Sequence, residues 1–533
     1  MNPSAPAGPD VDVIVVGAGI TGIYQLYLAL ESGFSAHLLE AGHGVGGTWY
    51  WNRYPEARFD SESYTYAYIF SKELFEEWGW SEHFSSQPEI EKYLNYVVDK
   101  FDLRPYLRLG SKVTSAVYDD CSATWAVQAS DGFECRGRVL IAATGNLSVP
   151  YWPEVSGQQD FRGVQVHTGL WPSAPVDLAN KRVAVVGTGS SGVQLIPAIA
   201  DQVASLTVYQ RSANWCTPLN NRPITPEEQA QLMVGFEDLR ETLIRSRSGF
   251  LHLPHNRATF EDSKVARRAH YEKMWNSPGF AKFSSNYTDM LMNEAANAEW
   301  CAFIADKIRS IVRDPETAEK LIPKGHGYGG KRPPYVTGYY ETFNRSNVRL
   351  IDLKATPMVR LTTNGIETTE GFEEFDVIVW ATGFDFGTGA LNRMGITGRD
   401  SLRLEEYWAD GPRTYLGVMC HGFPNFFFPG GPHGSAGNNP RYSGDQSEFI
   451  NDLLVYQRTH GYQKVEVPDA LEQEWTVMVD TESEKSPIGK QSYFFGLNIP
   501  GKPRRFLINP AGRPDLLKRM AQIVERDYEG FFI

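Results

Sequence analysis

The chain carries one device twice: an apolar strand that runs directly into Gly-x-Gly-x-x-Gly and then into a helix. The first copy is the run Val11 to Val16, then Gly17-x-Gly19-x-x-Gly22, a helical stretch, and a second apolar run from Ala36 to Leu39 that ends at Glu40. The second starts at Lys181, reads Gly187-x-Gly189-x-x-Gly192, and closes with a strand from Leu206 to Gln210 followed by Arg211. A glycine triplet alone is a weak signal. In a complete βαβ context it has a mechanism: the first glycine allows the tight turn, the second lets a pyrophosphate approach the backbone, and the third lets helix and strand pack closely. The helix N-terminus then offers free N–H groups and the positive end of its dipole to the phosphates. Two such units predict an α/β chain with two doubly wound, Rossmann-like dinucleotide-binding domains.

The residue that ends each unit separates the two sites. Glu40, eighteen residues beyond Gly22, is placed to accept ribose hydroxyls. Gln210-Arg211 stands at the corresponding point of the second unit. A carboxylate there would repel a 2′-phosphate, whereas a guanidinium grips it by charge-assisted hydrogen bonds. The first site therefore reads as one for an adenosine with a free ribose diol, and the second as one for NADPH; the competing reading of Arg211 is a solvated surface side chain. Each unit is echoed by an apolar strand ending in Ala-Thr-Gly, Val139 to Gly145 and Val377 to Gly383. This order predicts a domain within a domain: residues 11–150 with 385–533 form the first, discontinuous domain, and 151–384 the inserted one. A helical insert, 222–330, interrupts the inserted domain and forms a wall over the cleft, with Thr225-Pro226-Glu227-Glu228 as cap and first turn. Residues 1–10 read as a flexible leader without the basic start or apolar core of a signal peptide.

Composition narrows the partners. The 533 residues are 42% hydrophobic and 22% charged, and the net charge is −13 with no long basic run. That balance speaks against nucleic acid or an anionic membrane surface as the main partner. No run of eighteen apolar residues is present, so no membrane span is expected. Five cysteines, odd in number, scattered and without a CxxC, suggest neither a disulfide framework nor a cysteine-based metal site. A cytoplasmic enzyme without a metal is the expectation; oligomeric state is not readable.

Two further segments are too specific for ordinary loops. Gly46-Gly47-Thr48-Trp49-Tyr50-Trp51-Asn52-Arg53-Tyr54-Pro55 follows the first unit, with Asp60 shortly after it. Phe161-Arg-Gly163-x-x-x-His167-x-x-x-Trp171-Pro172 lies between the units. Together with Lys331-Arg332, Gly338 to Arg345 and Asn498-Ile-Pro500-Gly501-Lys502, these resemble the Baeyer–Villiger monooxygenases over nearly the whole chain. Those are FAD- and NADPH-dependent flavoproteins that convert ketones to esters or lactones with O2. Three departures stand out: Glu56 where the family mostly has Gly, Tyr493 where a Trp that contacts NADP is usual, and the Gly431 to Pro440 loop, which bears on the substrate.

The resemblance implies definite jobs. Arg332 would stand by the flavin as a permanent positive charge stabilising a C4a-peroxide, although beside Pro333-Pro334 it reads on its own as a surface residue. Asp60, on its own a turn residue, would orient Arg332 and bond the nicotinamide amide. Units and resemblance together assign to cofactor binding Gly17, Gly19, Thr21, Gly22, Glu40, Gly47, Thr48, Trp49, Tyr50, Trp51, Asp60, Tyr66, Val113, Gly187, Thr188, Gly189, Ser190, Ser191, Gly192, Gln194, Arg211, Ser212, Lys331, Arg332 and Tyr493. Thr188, Ser190 and Gln194 would line the second turn. His167 has a pKa suited to acid–base work, yet its place in the linker reads as a hinge, fixed by Phe161, Gly163, Trp171 and Pro172. The substrate-pocket walls are expected from the insert and residues 431–443 and 485–497. Rival readings are a flavin N- or S-oxygenase, against which the His167 to Pro172 segment speaks, and a non-catalytic NADPH sensor, against which Asp60, Lys331 and Arg332 speak. A dithiol flavin reductase would need a cysteine pair between Gly22 and Trp49, and none is there.

Overall fold

The computed structural model describes residues 8–434, 437–486 and 492–532. The expected leader lies outside these except for residues 8–10, and residues 435–436 and 487–491 of the expected pocket walls lie outside them too.

The first sheet is built from β1 (Val11–Val16), β2 (Ala36–Leu39), β3 (Leu107–Arg108), β4 (Val113–Asp119), β5 (Thr124–Ala129) and β6 (Glu134–Ala142), with helix α1 (Ile20–Glu31) between β1 and β2. The second contains β7 (Val164–His167), β8 (Arg182–Val186), β9 (Ser205–Gln210), β10 (Val348–Asp352) and β11 (Val377–Trp380), with helix α2 (Ser190–Ile199) between β8 and β9. Two short strands late in the chain, β12 (Ile396–Thr397) and β13 (Phe426–Phe427), return to the first sheet, pairing with β4 and β6. The second sheet is parallel throughout in the order β10-β9-β8-β11-β7. The first is parallel across β6-β1-β2-β3. It turns antiparallel across β4-β5-β6, where short connections make hairpins.

Both central strands are buried on two faces, as parallel strands between helix layers must be. Val13 and Val15 of β1 pack with Ile23, Leu26 and Ala29 of α1. Ile14 and Val16 point the other way, into a cluster with Trp125 and Phe426. In the second sheet Val183 and Val185 share a core with α2 and with Tyr271, Trp300 and Phe303 of the insert. Ala184 and Val186 face Phe161 and Trp380. Residues 222–330 contain helices at Pro226–Val234, Phe236–Arg245, Lys264–Trp275 and Glu294–Ile311 among others. The first of these opens with a capping box: Thr225 Oγ1 accepts from the Glu228 N–H at 3.2 Å and Glu228 Oε2 from the Thr225 N–H at 3.0 Å. No described helix is long and apolar enough to cross a membrane.

The repeated Ala-Thr-Gly has a packing explanation. Gly17, at φ 106°, lies so close to the residue that follows β6 that a Cβ would meet the Ala143 carbonyl oxygen at 2.6 Å; Gly187, at φ 110°, stands in the same relation to the Ala381 oxygen just after β11, at 2.3 Å. A Cβ on Gly22 would fall 1.8 Å from the Gly17 oxygen, and one on Gly192 would fall 2.2 Å from the Gly187 oxygen. First and third glycines are thus demanded by protein packing alone. Gly22→Ala and Gly192→Ala must push helix from strand, so each is expected to destabilise by about 2 kcal/mol or more, read as a fall in thermal midpoint even without nucleotide.

Candidate active site

Arg332 and Asp60 come from opposite ends of the chain's middle and meet as a bidentate pair. Arg332 Nη1 donates to Asp60 Oδ2 at 2.8 Å and Nη2 to Oδ1. Asp60 is held by its loop, where Gly279 approaches so closely that a Cβ would meet the Asp60 carbonyl oxygen at 2.7 Å. Arg332 is fixed from behind, since Asn214 Nδ2 donates to its carbonyl at 3.0 Å. Burial opposes the guanidinium charge, but the field and hydrogen bonds of Asp60 prevail and raise its pKa further above the ordinary value. The cation is therefore permanent. Its carbon lies 5.2 Å from the centre of the Phe280 ring. Tyr54 and Tyr493 share this surrounding; burial pushes both phenols up to about 12, with Arg332 pulling each the other way.

The residues present suit two dinucleotides. The middle glycines differ from their neighbours in the turns: a Cβ on Gly19 would touch only the Gly47 Cα at 3.5 Å, and one on Gly189 would meet nothing within 4 Å. Space is kept there where a phosphate-binding turn needs it. Thr21 and Ser190–Ser191 lie in the first turns of α1 and α2, next to backbone N–H groups with no partner inside the helix. Glu40 is buried, with its Oε2 accepting from the Ala18 N–H and its Oε1 from the Gly42 N–H, both at 2.7 Å. Each oxygen keeps acceptor capacity for a ribose hydroxyl. Burial raises its pKa, against the pull of those N–H groups.

The aromatic loop folds over this first turn. Gly47, at φ 54°, approaches Gly19 so closely that a Cβ would lie 2.7 Å from its Cα. Thr48–Trp51 is a single helical turn. Trp49 Nε1 donates to Tyr66 Oη at 3.0 Å, and Tyr66 stacks on Phe59 at 4.7 Å. Tyr50 Oη accepts from the His43 N–H at 3.0 Å. Val113 is buried at the start of β4. Glu56 explains its own departure: it sits at φ 64°, the left-handed region that favours glycine, and its carboxylate bonds to Arg58 Nη2 at 2.6 Å.

At the second site Lys331 Nζ donates to Ser212 Oγ at 2.9 Å, and Thr188 Oγ1 to the Ser212 carbonyl at 3.2 Å. Arg211 is exposed beside them. Gln194 does not spend its amide on the turn. Its Nε2 donates to the Arg58 carbonyl at 3.0 Å and its Oε1 accepts from Tyr54 Oη at 2.8 Å, joining α2 to the aromatic loop.

His167 ends β7 and is almost wholly buried. Its Nδ1 accepts from the Gly169 N–H at 2.9 Å, and Nε2 lies 3.3 Å from Thr382 Oγ1, which in turn donates to the Tyr151 carbonyl at 2.5 Å. The imidazole thus touches both places where the chain passes between the sheets. Burial lowers its pKa to about 4, leaving it neutral. The Trp171 N–H donates to the Trp51 carbonyl at 3.1 Å, so the two signature segments touch. Phe161 is buried under the second sheet, and Gly163 leaves no room for a Cβ against Asp376; Pro172 is exposed. Sequence reasoning missed Tyr54, Asn214 and Phe280 as parts of the site. Tyr54 stood within a quoted motif, but Asn214 and Phe280 carried no local signal.

A pyridine nucleotide-disulphide oxidoreductase family profile matches residues 14–241, although the cysteines are all unpaired and none lies in that first turn region. The 2-oxo-Δ3-4,5,5-trimethylcyclopentenylacetyl-CoA monooxygenase of Pseudomonas putida is 40% identical, with 98% of each chain covered. A Baeyer–Villiger monooxygenase of Pseudooceanicola batsensis is 36% identical over 98% of this chain and 96% of its own. The phenazine N-monooxygenase of Lysobacter antibioticus is 37% identical over 98% and 97%. Among solved structures, the OTEMO complex with FAD and NADP superposes with a TM-score of 0.95 at 39% identity, covering 98% of this chain and 99% of that one. An oxidised steroid monooxygenase bound to NADP does so with 0.93 at 41% identity over 98% and 99%. The chain belongs to the Baeyer–Villiger monooxygenase family and is an FAD-dependent, NADP-using monooxygenase.

Proposed function

We propose that the chain inserts one oxygen atom of O2 into a ketone, giving an ester or lactone, at the expense of NADPH. In this reading residues 11–150 and 385–533 hold FAD, residues 151–384 hold NADPH, and the insert at 222–330 walls the cleft between them. Bound FAD, reduced by NADPH and open to O2, supplies an oxidant that no side chain provides. The observation that carries the reading is the bidentate Arg332–Asp60 pair, set between the aromatic loop and the cation-lined second site.

The side chains then have distinct tasks. Arg332 presents fixed positive charge where negative charge develops on the reacting oxygen. At ~4 Å and an effective dielectric of ~20, one charge is worth about 4 kcal/mol to an opposite one, the scale of about a thousandfold in rate. Asp60 orients that guanidinium, and its remaining acceptor capacity would take a hydrogen bond from a nicotinamide amide. The Phe280, Tyr54 and Tyr493 rings flank the pair and leave Arg332 only partly open to water. Lys331 and Arg211 hold the 2′-phosphate. His167, neutral and bonded to both crossings, works as a hinge rather than as an acid or base. Substrate choice rests with the pocket walls, among whose described residues Asn438 Nδ2 donates to the Thr65 and Gly249 carbonyls at 2.9 and 3.0 Å.

Arg332→Ala is expected to keep its flavin absorbance yet lose ester formation by about a thousandfold; near-normal ester yield would remove the role. Gly19→Ala is expected to fold with an unchanged thermal midpoint in the absence of nucleotide and to bind FAD weakly, and Gly189→Ala to do the same for NADP+; calorimetric titration of each nucleotide-free variant checks this. A panel of cyclic, linear, aromatic and steroidal ketones, run beside N-heteroaromatics with H2O2 measured, tests the reaction itself. Ester from a ketone is expected, and N-oxide as the sole product would favour the activity named for the Lysobacter relative.

A further inference from the structure

A third cation shares the corner occupied by Arg211 and Lys331. Strand β10 lies on β9 in parallel register, with Asp352 opposite Gln210, and the Leu353 N–H continues the pairing by donating to the Gln210 carbonyl at 2.8 Å. The chain then turns sharply. Asp352 Oδ1 accepts from the Lys354 backbone N–H at 2.9 Å, and the Asp352 carbonyl accepts from Ala355 and Thr356 at 3.1 and 2.8 Å. This turn commits the nearby carboxylate to backbone and leaves Lys354 exposed. It lies at the carboxyl end of the strand next to Arg211, the edge of an α/β sheet where ligands bind.

The electrostatics of the corner are one-sided. Acidic residues outnumber basic ones by 64 to 51 in the whole chain. Yet among the described residues the ion pairs include none made by Arg211, Lys331 or Lys354, although many other Arg and Lys side chains form them. Burial, then the charges of Arg211 and Lys354, lower the pKa of Lys331. Burial, Lys331 and Lys354 bring His326 down to about 4, so its ring adds no charge. Three cations gathered with no ion-paired carboxylate repel one another unless an anion of more than one charge binds among them.

We propose that Lys354 is a third determinant of coenzyme choice, contacting the 2′-phosphate of NADP(H) together with Arg211 and Lys331. The proposal rests on the assignment of this corner to that phosphate. Lys354 reaches the anion as a point charge on a flexible stem, so it adds to affinity without setting the geometry that the planar Arg211 sets. NADH, which lacks the phosphate, gains nothing from it.

The test uses the full flavin-loaded protein with Lys354→Met, Lys354→Arg, Arg211→Ala and Lys331→Ala, and measures calorimetric dissociation constants for NADP+, NAD+ and 2′,5′-ADP at several salt concentrations. Lys354→Met is expected to weaken NADP+ and 2′,5′-ADP about five- to tenfold, to leave NAD+ unchanged, to flatten the salt dependence, and to raise KM for NADPH with kcat intact. Lys354→Arg is expected to restore binding. Unchanged NADP+ affinity in Lys354→Met, or equal weakening of NADP+ and NAD+, overturns the inference. If Arg211→Ala and Lys331→Ala lower the NADP+ preference and Lys354→Met does not, the corner stands and Lys354 has no part in it. If none of the three shifts that preference, the assignment of the corner itself falls.

Discussion

The whole arrangement depends on two places where backbone touches backbone. The Ala143 and Ala381 carbonyls press against the first glycine of each phosphate-binding turn, and the third glycine presses against the first. No side chain fits in either stack. That contact sets the height of α1 and α2 above their sheets, and so decides where the helix N-termini aim. It also accounts for the alanine that follows each of β6 and β11: the same residue that abuts the first glycine has its Cβ 3.4 Å from where a Cβ on the third would be, so anything larger would lift the helix.

Onto this frame the chain hangs one fully paired charge cluster and one deliberately unpaired one. Asp60 satisfies Arg332 with two parallel hydrogen bonds, a geometry that fixes the plane of the guanidinium and not merely its position. A partly buried pair of this kind contributes little net stability, because desolvation offsets attraction; its value lies in orientation. The corner of Arg211 and Lys331 does the reverse, leaving cations short of acids in an acidic protein. The two clusters thus treat charge in opposite ways within one acidic chain.

Legibility in the sequence followed the range of the interaction. The two glycine turns and the Thr225 capping box were readable because each is closed within a few residues. The Ala-Thr-Gly echo was visible as a pattern, but its cause, contact with a glycine more than a hundred residues away, is a tertiary fact. The hairpins β4-β5-β6 were not foreseen, since the periodic signal of β1 and β2 speaks for a parallel sheet and says nothing of what is added to its edge. Asn214 and Phe280 escaped because neither type at that position implies a role until Arg332 is folded between them. Gln194 was placed near the second turn for its position on α2, whereas its amide faces away and binds the aromatic loop.

That last contact has a mechanical corollary. Tyr54 and Arg58, the two partners of Gln194, bracket the short stretch that leads into Asp60. Helix α2, which follows the second glycine turn, is therefore tied through a single amide side chain to the stretch that carries Asp60, the carboxylate paired with Arg332.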